Sequence, residues 1–126
     1  MIRRAESLRD SFRYASAGLR YLFTTQRNAR VQASVGAVAL LLGGVLRISR
    51  TEWALLVLLI ALILVLEALN SAIEATVDLV TSEYHPLAKI AKDVAAGAVW
   101  LLALASVVIG AIIFLPRLLA LAGIGR

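Results

Sequence analysis

Three uncharged apolar runs, residues 31–46, 53–66 and 94–115, decide what this chain can become. Apolar residues fill 61% of its 126 positions and the mean hydropathy is +0.89, more than the core of so small a domain can hide. Much of that surface must therefore face lipid, where no water completes the hydrogen bonds of the backbone. A segment that crosses has to satisfy its own N–H and C=O groups, which makes each run a helix. The expected fold is an all-α integral membrane protein of one domain, with an N-terminal amphipathic surface helix followed by three transmembrane helices.

Residues 1–30 precede the first span, with a helix expected from Glu6 to Arg30. Leu8, Phe12, Ala15, Leu19 and Leu22 recur in steps of four and three and so share one stripe. Arg9, Arg13, Arg20 and Arg27 follow one residue later, about 100° round the helix. An apolar stripe edged by arginines belongs to a helix lying in a membrane interface. No short apolar run with a small-residue cleavage site follows the basic start, so no cleavable leader is expected.

The first span is placed at 31–48. Its uncharged part is shorter than the ~20 residues a crossing needs, so either residues 28–30 extend it or the bilayer thins there. A polar turn follows, with Thr51 as the expected N-cap of a second helix over 52–80 and Trp53 as an interface anchor. Residues 81–92 form a loop and a basic turn, because Pro86 disfavours a helical His85 and can itself open a helix. The third span covers 93–115, and Pro116 closes it before a frayed tail at 116–126.

Seven of the thirteen basic residues fall in the first thirty positions. Because these arginines precede membrane spans, the formal charge of +5 points to anionic lipid headgroups and not to nucleic acid. The N-terminal segment and the 81–93 connection together carry nine Lys and Arg, against four for the turn and the C-terminus. The richer side is expected to be cytoplasmic, with the N-terminus inside and the C-terminus outside. With no cysteine in the chain, a metal site would depend on carboxylates or on the single histidine, His85.

Glu67 breaks the pattern. The uncharged stretch before it is only about 21 Å long, so the carboxylate falls inside or at the edge of a hydrocarbon core ~30 Å thick. Asn70, Ser71, Glu74 and Asp78 share its face within an arc of about 100°. On the next helix Lys89, Lys92 and Asp93 form a matching face, and a short connection makes the two helices antiparallel neighbours. A structural salt-bridge seam would need only one or two such pairs. Ionisable groups at membrane depth mark function. Carboxylates bind Mg²⁺ beside phosphate, lysines neutralise phosphate charge, and a desolvated carboxylate accepts a hydroxyl proton. Phosphoryl transfer from a nucleotide to a lipid alcohol fits this set. No Walker A loop, glycine-rich kinase loop or HRD/DFG pair occurs, so such a kinase is not of a soluble type.

These residues also carry a resemblance. Glu67-Ala-Leu-Asn70-Ser-Ala-Ile-Glu74-Ala-Thr-Val-Asp78, with Glu83-Tyr84-His85-Pro86-Leu87-Ala88-Lys89-Ile90-Ala91-Lys92-Asp93, resembles the prokaryotic diacylglycerol kinase/undecaprenol kinase family, the His85–Gly97 stretch being nearer the undecaprenol branch. Ser11-Phe12-Arg13-Tyr14, Gly18-Leu19-Arg20 and Asn28-Ala29-Arg30 extend the match upstream over nearly the whole chain. The resemblance implies an ATP–Mg²⁺-dependent lipid kinase of the bacterial inner membrane. It implies a homotrimeric bundle with active sites shared between protomers. It implies that Glu67 is the general base, that Glu74 binds the metal on the ATP phosphates, that Asn70 orients groups in the site with Asp78 in support, and that Lys92 and Asp93 hold the nucleotide. Tyr14, Glu83, Tyr84 and His85 match further nucleotide contacts. Gln26 stands where the family usually has a second metal-binding glutamate. Three consequences are open: Glu74, phosphates and water hold the metal alone, Glu67 or Asp78 compensates, or the kinase is weaker.

Two other classes fit less. A small proton-coupled transporter would use Glu67 but leaves Glu74, Asp78, Lys92 and Asp93 unexplained. A non-enzymatic assembly subunit would rely on the basic surface helix and have no use for Glu67. The acceptor lipid, undecaprenol or diacylglycerol, is not fixed by the residues, since both place a primary hydroxyl at the interface.

Overall fold

A computed structural model describes residues 7–124 as four helices: α1 (Leu8–Thr25), α2 (Arg27–Val45), α3 (Arg50–Val80) and α4 (Pro86–Leu121). Among the described residues there is no strand. The last three helices are each long and apolar enough to cross a membrane. The expected start of the surface helix at Glu6 and residues 125–126 of the tail lie outside the described residues.

α1 begins where Ser7 Oγ accepts the Asp10 N–H at 3.2 Å. Its apolar stripe meets the protein only near its C-terminal end, where Leu22 is 2% exposed; Leu8 and Phe12 at the other end are 89% and 79% exposed. The helix stops at Gln26 and does not run on to Arg30. Gln26 is extended, at φ −100° and ψ 109°. Arg30 explains the earlier break: its Nη1 donates to the Phe23 and Thr24 carbonyls at 3.0 and 3.1 Å, satisfying acceptors that the end of α1 leaves open. Residues 27–30 thereby join the first span, which reaches 19 residues or about 28 Å.

α2 ends in a Schellman motif. Ile48 N–H donates to Gly43 O at 3.2 Å and Arg47 N–H to Gly44 O at 3.4 Å. Arg47 holds the left-handed position at φ 51°, where glycine is the usual occupant. The N-cap of α3 is Ser49 and not Thr51. Ser49 Oγ accepts the Glu52 N–H at 3.2 Å while Glu52 Oε2 accepts the Ser49 N–H at 2.7 Å, and this reciprocal pair places Thr51 inside the first turn.

α3 and α4 have 31 and 36 residues, so they are about 46 and 54 Å long and outrun a core ~30 Å thick. α4 also passes through Pro116, where the sequence pattern had placed its end, and residues 118–121 are helical where a frayed tail was expected. The proline removes an N–H from the ladder. Arg117 lies in the same turn, its Nη1 donating to Ile113 O at 2.8 Å while the guanidinium grips Glu52 with two bonds of 2.9 and 2.7 Å.

The most extensive helix contact is α3 against the antiparallel α4, followed by α2 against α3; α2 and α4 hardly touch one another. The three meet at the Glu52–Arg117 end around Ile48, Leu56, Ile113 and Phe114. Close approach there depends on Gly43, where an added Cβ would lie 3.0 Å from Ile48 Cδ1 and 3.2 Å from Trp53 Cη2. Space is left between α2 and α4 over α3 along much of their length, and the site lies in it near Glu67.

Two opposite stability changes are expected in this turn. Gly43→Leu overpacks it and costs about 1–3 kcal/mol. Arg47→Gly relieves the left-handed backbone and gains about 1 kcal/mol. Equilibrium unfolding in detergent micelles reads both, and an unaltered Gly43→Leu protein would show that the turn is not packed as described.

Candidate active site

Glu67 lies about 25 Å along α3 from Arg50, where α2 and α4 part, and is 3% exposed. Its Oε1 has no hydrogen-bond partner, and neither does Oδ1 of Asn70 one turn on. Both residues line a cavity of about 250 Å³, together with Asn28 and Gln32 of α2 and Val99 and Trp100 of α4. Ser71 lies on the same helical arc but is already satisfied, its hydroxyl donating to Glu67 O at 2.8 Å. Buried polar atoms are nearly always paired, because leaving one unpaired costs stability. Two unpaired acceptors beside one cavity therefore indicate a place for a donor from outside the chain.

A second cavity, of about 290 Å³, lies at the loop between α3 and α4 and is lined by Asp78, Glu83, Tyr84, His85, Lys89 and Lys92. Lys92 Nζ meets Asp78 Oδ1 at 2.5 Å, and Lys89 pairs with Asp93. All four side chains are substantially exposed, so these pairs are weakly held and an incoming phosphate can replace the carboxylates. His85 shapes the loop: its Nδ1 accepts the Leu87 N–H at 3.2 Å, which caps α4 just ahead of Pro86.

The two cavities follow one another. Lys92 lines the second and Ala96, one turn along α4 or about 6 Å, lines the first. On α3, Glu74 lies between Glu67 and Asp78. The structure thus gathers Glu67 with Asn70, and Asp78, Glu83, Tyr84, His85 and Lys92 with one another. Asp93 reaches this group through Lys89. Glu74, Tyr14 and Gln26 line neither cavity. Tyr14 lies on α1 beneath the Arg13 guanidinium, 5.3 Å from its ring centroid, and Gln26 occupies the α1–α2 break with its side chain unused in capping.

No group of three or more His, Cys, Asp or Glu side chains stands together as a metal cage among the described residues. Glu74 takes part in none of their four ion pairs. A lone available carboxylate fits Mg²⁺ that arrives on nucleotide phosphates and keeps its waters, and does not fit a preformed protein site.

Sequence reasoning missed Asn28, Gln32 and Trp100 as cavity residues. Asn28 and Gln32 carried a signal, two amides four residues apart at the start of an apolar span, and so on one helical face. Their relation to Glu67 depends on how α2 crosses α3, which no local pattern contains.

A helical membrane protein with a buried carboxylate at one cavity and a lysine-bearing loop cavity next to it is built as a membrane enzyme that joins a lipid to a charged reactant. The chain belongs to the prokaryotic diacylglycerol kinase family, membrane lipid kinases whose family model matches residues 13–114. It is 47% identical over 118 residues to a diacylglycerol kinase of Synechocystis sp., covering 93% of this chain and 67% of that protein. It is 46% identical over 108 residues to the undecaprenol kinase of Bacillus subtilis, covering 86% and 88%. With the diacylglycerol kinase of Escherichia coli K12 the identity is 33% over 95 residues, covering 75% and 78%.

The unpaired Glu67 oxygen sets up a trade of stability for function. Glu67→Leu is expected to raise the unfolding free energy by about 1–3 kcal/mol, because it removes a buried acceptor that has no donor. Equilibrium unfolding in micelles measures it, and a loss of stability would mean that the carboxylate is paired.

Proposed function

We propose that this chain transfers the γ-phosphoryl group of ATP to the primary hydroxyl of a membrane lipid alcohol, undecaprenol first and diacylglycerol next, with Glu67 as general base. The observation that carries the reading is the buried Glu67 carboxylate with an unpaired oxygen at a cavity one helical turn from a lysine-lined loop cavity.

The lipid hydroxyl enters the first cavity and donates its hydrogen bond to Glu67, while Asn70 orients it. Lys92, released from Asp78, takes phosphate oxygens in the loop cavity, where Glu83, Tyr84, His85 and Asp93 complete the nucleotide contacts. As Glu67 removes the proton, the hydroxyl oxygen bonds to the γ-phosphorus and the bond from that phosphorus to the bridging oxygen of ADP breaks. Glu67 later releases the proton to water. Glu74 would hold Mg²⁺ with phosphate oxygens and water, Gln26 adding at most a carbonyl oxygen, and the ion would neutralise charge on the phosphates. Asp78 supports the site as the resting partner of Lys92. The N-terminus and the 81–93 connection face the cytoplasm, where ATP is available, and the C-terminus lies outside.

The working unit in this reading is a homotrimer with shared sites, which follows from the family resemblance, and Tyr14 makes its nucleotide contact within that assembly. Glu67→Gln is expected to lower turnover at least 100-fold in a labelled-ATP transfer assay with ATP binding retained, whereas Lys92→Ala should weaken ATP binding. Mixed trimers of Glu67→Gln with Tyr14→Ala, whose residue reaches the site from another protomer in this reading, should recover transfer. Near-normal turnover by Glu67→Gln would overturn the assignment of the base, and failure of mixing would confine each site to one protomer. Gln26→Glu should shift half-maximal activity to several-fold lower Mg²⁺, and an unchanged Mg²⁺ dependence would take position 26 out of the metal account.

A further inference from the structure

The end of the molecule remote from the loop cavity carries charge that the chain does not balance. Arg47 and Arg50 flank the turn between α2 and α3; both are exposed, and neither takes part in an ion pair among the described residues. Glu52 is the one carboxylate close to them in the chain, and both its oxygens are already bonded. Arg117 donates to Oε1 at 2.9 Å and to Oε2 at 2.7 Å, and the Ser49 N–H donates to Oε2 at 2.7 Å. The next carboxylate along α3 is Glu67, about 22 Å away. A second copy of the chain would bring to this end only further arginines and a Glu52 held by its own Arg117. The turn also fixes where the charges sit. Ile48 is buried and packs on Gly43, while Arg47 holds the left-handed backbone at φ 51°. An arginine kept where glycine would be easier, beside a second arginine without a partner, indicates that the charge itself is used. Its depth says by what. α2 covers about 28 Å, close to the thickness of a hydrocarbon core, so Arg47 lies two residues past its end, at the level of lipid headgroups.

We propose that Arg47 and Arg50 bind the phosphate of an anionic phospholipid, such as phosphatidylglycerol, in the leaflet opposite the loop cavity. A guanidinium presents paired N–H donors in a fork that matches two phosphate oxygens, and two such groups on one tight turn can share a headgroup. The lipid supplies the anion that the protein lacks at this depth. Its tails also have apolar surface to follow. Leu41 and Val45 are exposed on α2, and Val57 is exposed on the Arg50 face of α3, all on the hydrocarbon side of the two arginines. A zwitterionic headgroup would carry its own cation toward these charges, so a lipid of net negative charge is favoured. The site lies about 25 Å along α3 from Glu67, and it stands whether or not Glu67 is the base.

Trp53 gives a direct reading, because it lies one turn from Arg50 with its ring against Gly43. Trp100→Phe leaves it as the one tryptophan of the full-length chain. In this parent protein, reconstituted in phosphatidylcholine vesicles, Trp53 fluorescence is titrated with brominated-chain phosphatidylglycerol and, in parallel, with brominated-chain phosphatidylcholine. Bromine quenches at short range, so lipid gathered by the arginines of α1 at the other membrane face does not register. Phosphatidylglycerol should be preferred by about fivefold or more, and Arg47→Gln with Arg50→Gln should bring the two lipids to about equal quenching. Arg47→Gly alone, which relaxes the turn and keeps the fold, should lower the preference by about twofold or more. Arg9→Gln on α1 should leave it as it is.

Equal quenching of the parent protein by the two lipids would overturn the proposal, and so would a preference that survives the double substitution. If the double variant does not fold, Arg47→Gly decides, and an unchanged preference there is fatal. Inorganic phosphate supplies the last arm. If it abolishes the preference where chloride at equal ionic strength does not, the arginines hold a soluble anion and the lipid assignment is wrong.

Discussion

The antiparallel pairing of α3 with α4 is the contact on which the site depends, and ion pairs fasten it near both ends. Arg117 grips Glu52 with two bonds at one end, and Lys92 meets Asp78 at the other. Between these points the register of two long helices has little freedom, since sliding either by one turn, about 5.4 Å, would break both pairs at once. Register in turn decides which side chains of α4 face Glu67. The two fastenings differ in kind. The first is partly buried, bidentate and tied into the capping box of α3, whereas the second is a single exposed contact. The fixed end is remote from the chemistry, and the exchangeable end lies where a nucleotide would bind.

The arrangement of α2 follows from the same pairing. α2 can pack on α3 only beside α4, and it does so closely where Gly43 lets Ile48 and Trp53 approach and where Gly36 meets Ile60. A bundle packed to uniform density would have closed over Glu67 and left its carboxylate either paired or excluded. The cavity instead keeps two oxygens without donors, a cost that packing in the rest of the bundle and the Arg117–Glu52 clasp offset.

Much of this could be read in the residues and some could not. Three helical spans, the polar arc of α3 and the matching face on α4 follow from hydrophobicity and the 3.6-residue repeat, both local properties. Gln26 as a break and Ser49 as a cap depended on which side chain reached a free backbone group. Arg30 took carbonyls of α1, and Glu52 closed a box with Ser49. Each local pattern allowed more than one outcome, and tertiary position selected among them. Asn28 and Gln32 were harder still, because their meaning arises only where α2 crosses α3. Tyr14 and Gln26 entered through resemblance alone, and within one chain they stand apart from both cavities.

Depth explains why the two halves of the site differ so much in character. A lipid alcohol cannot leave the bilayer without exposing its tail, and a nucleotide cannot enter it without shedding the hydration of its phosphates. Transfer between them requires one reactive group on each side of the boundary, within a bond's reach. The chain meets this with helices longer than the hydrocarbon core. Glu67 and its neutral neighbours Asn28, Gln32 and Asn70 stay where charge is costly, while Asp78, Lys89, Lys92 and Asp93 lie further along, where water can screen them. The carboxylate is the only formal charge lining the inner cavity, and in the proposed mechanism the proton of the lipid hydroxyl neutralises it. A lysine in its place would be just as costly to bury and could accept no proton while charged. The identity of residue 67 is thus constrained by the membrane as much as by the chemistry.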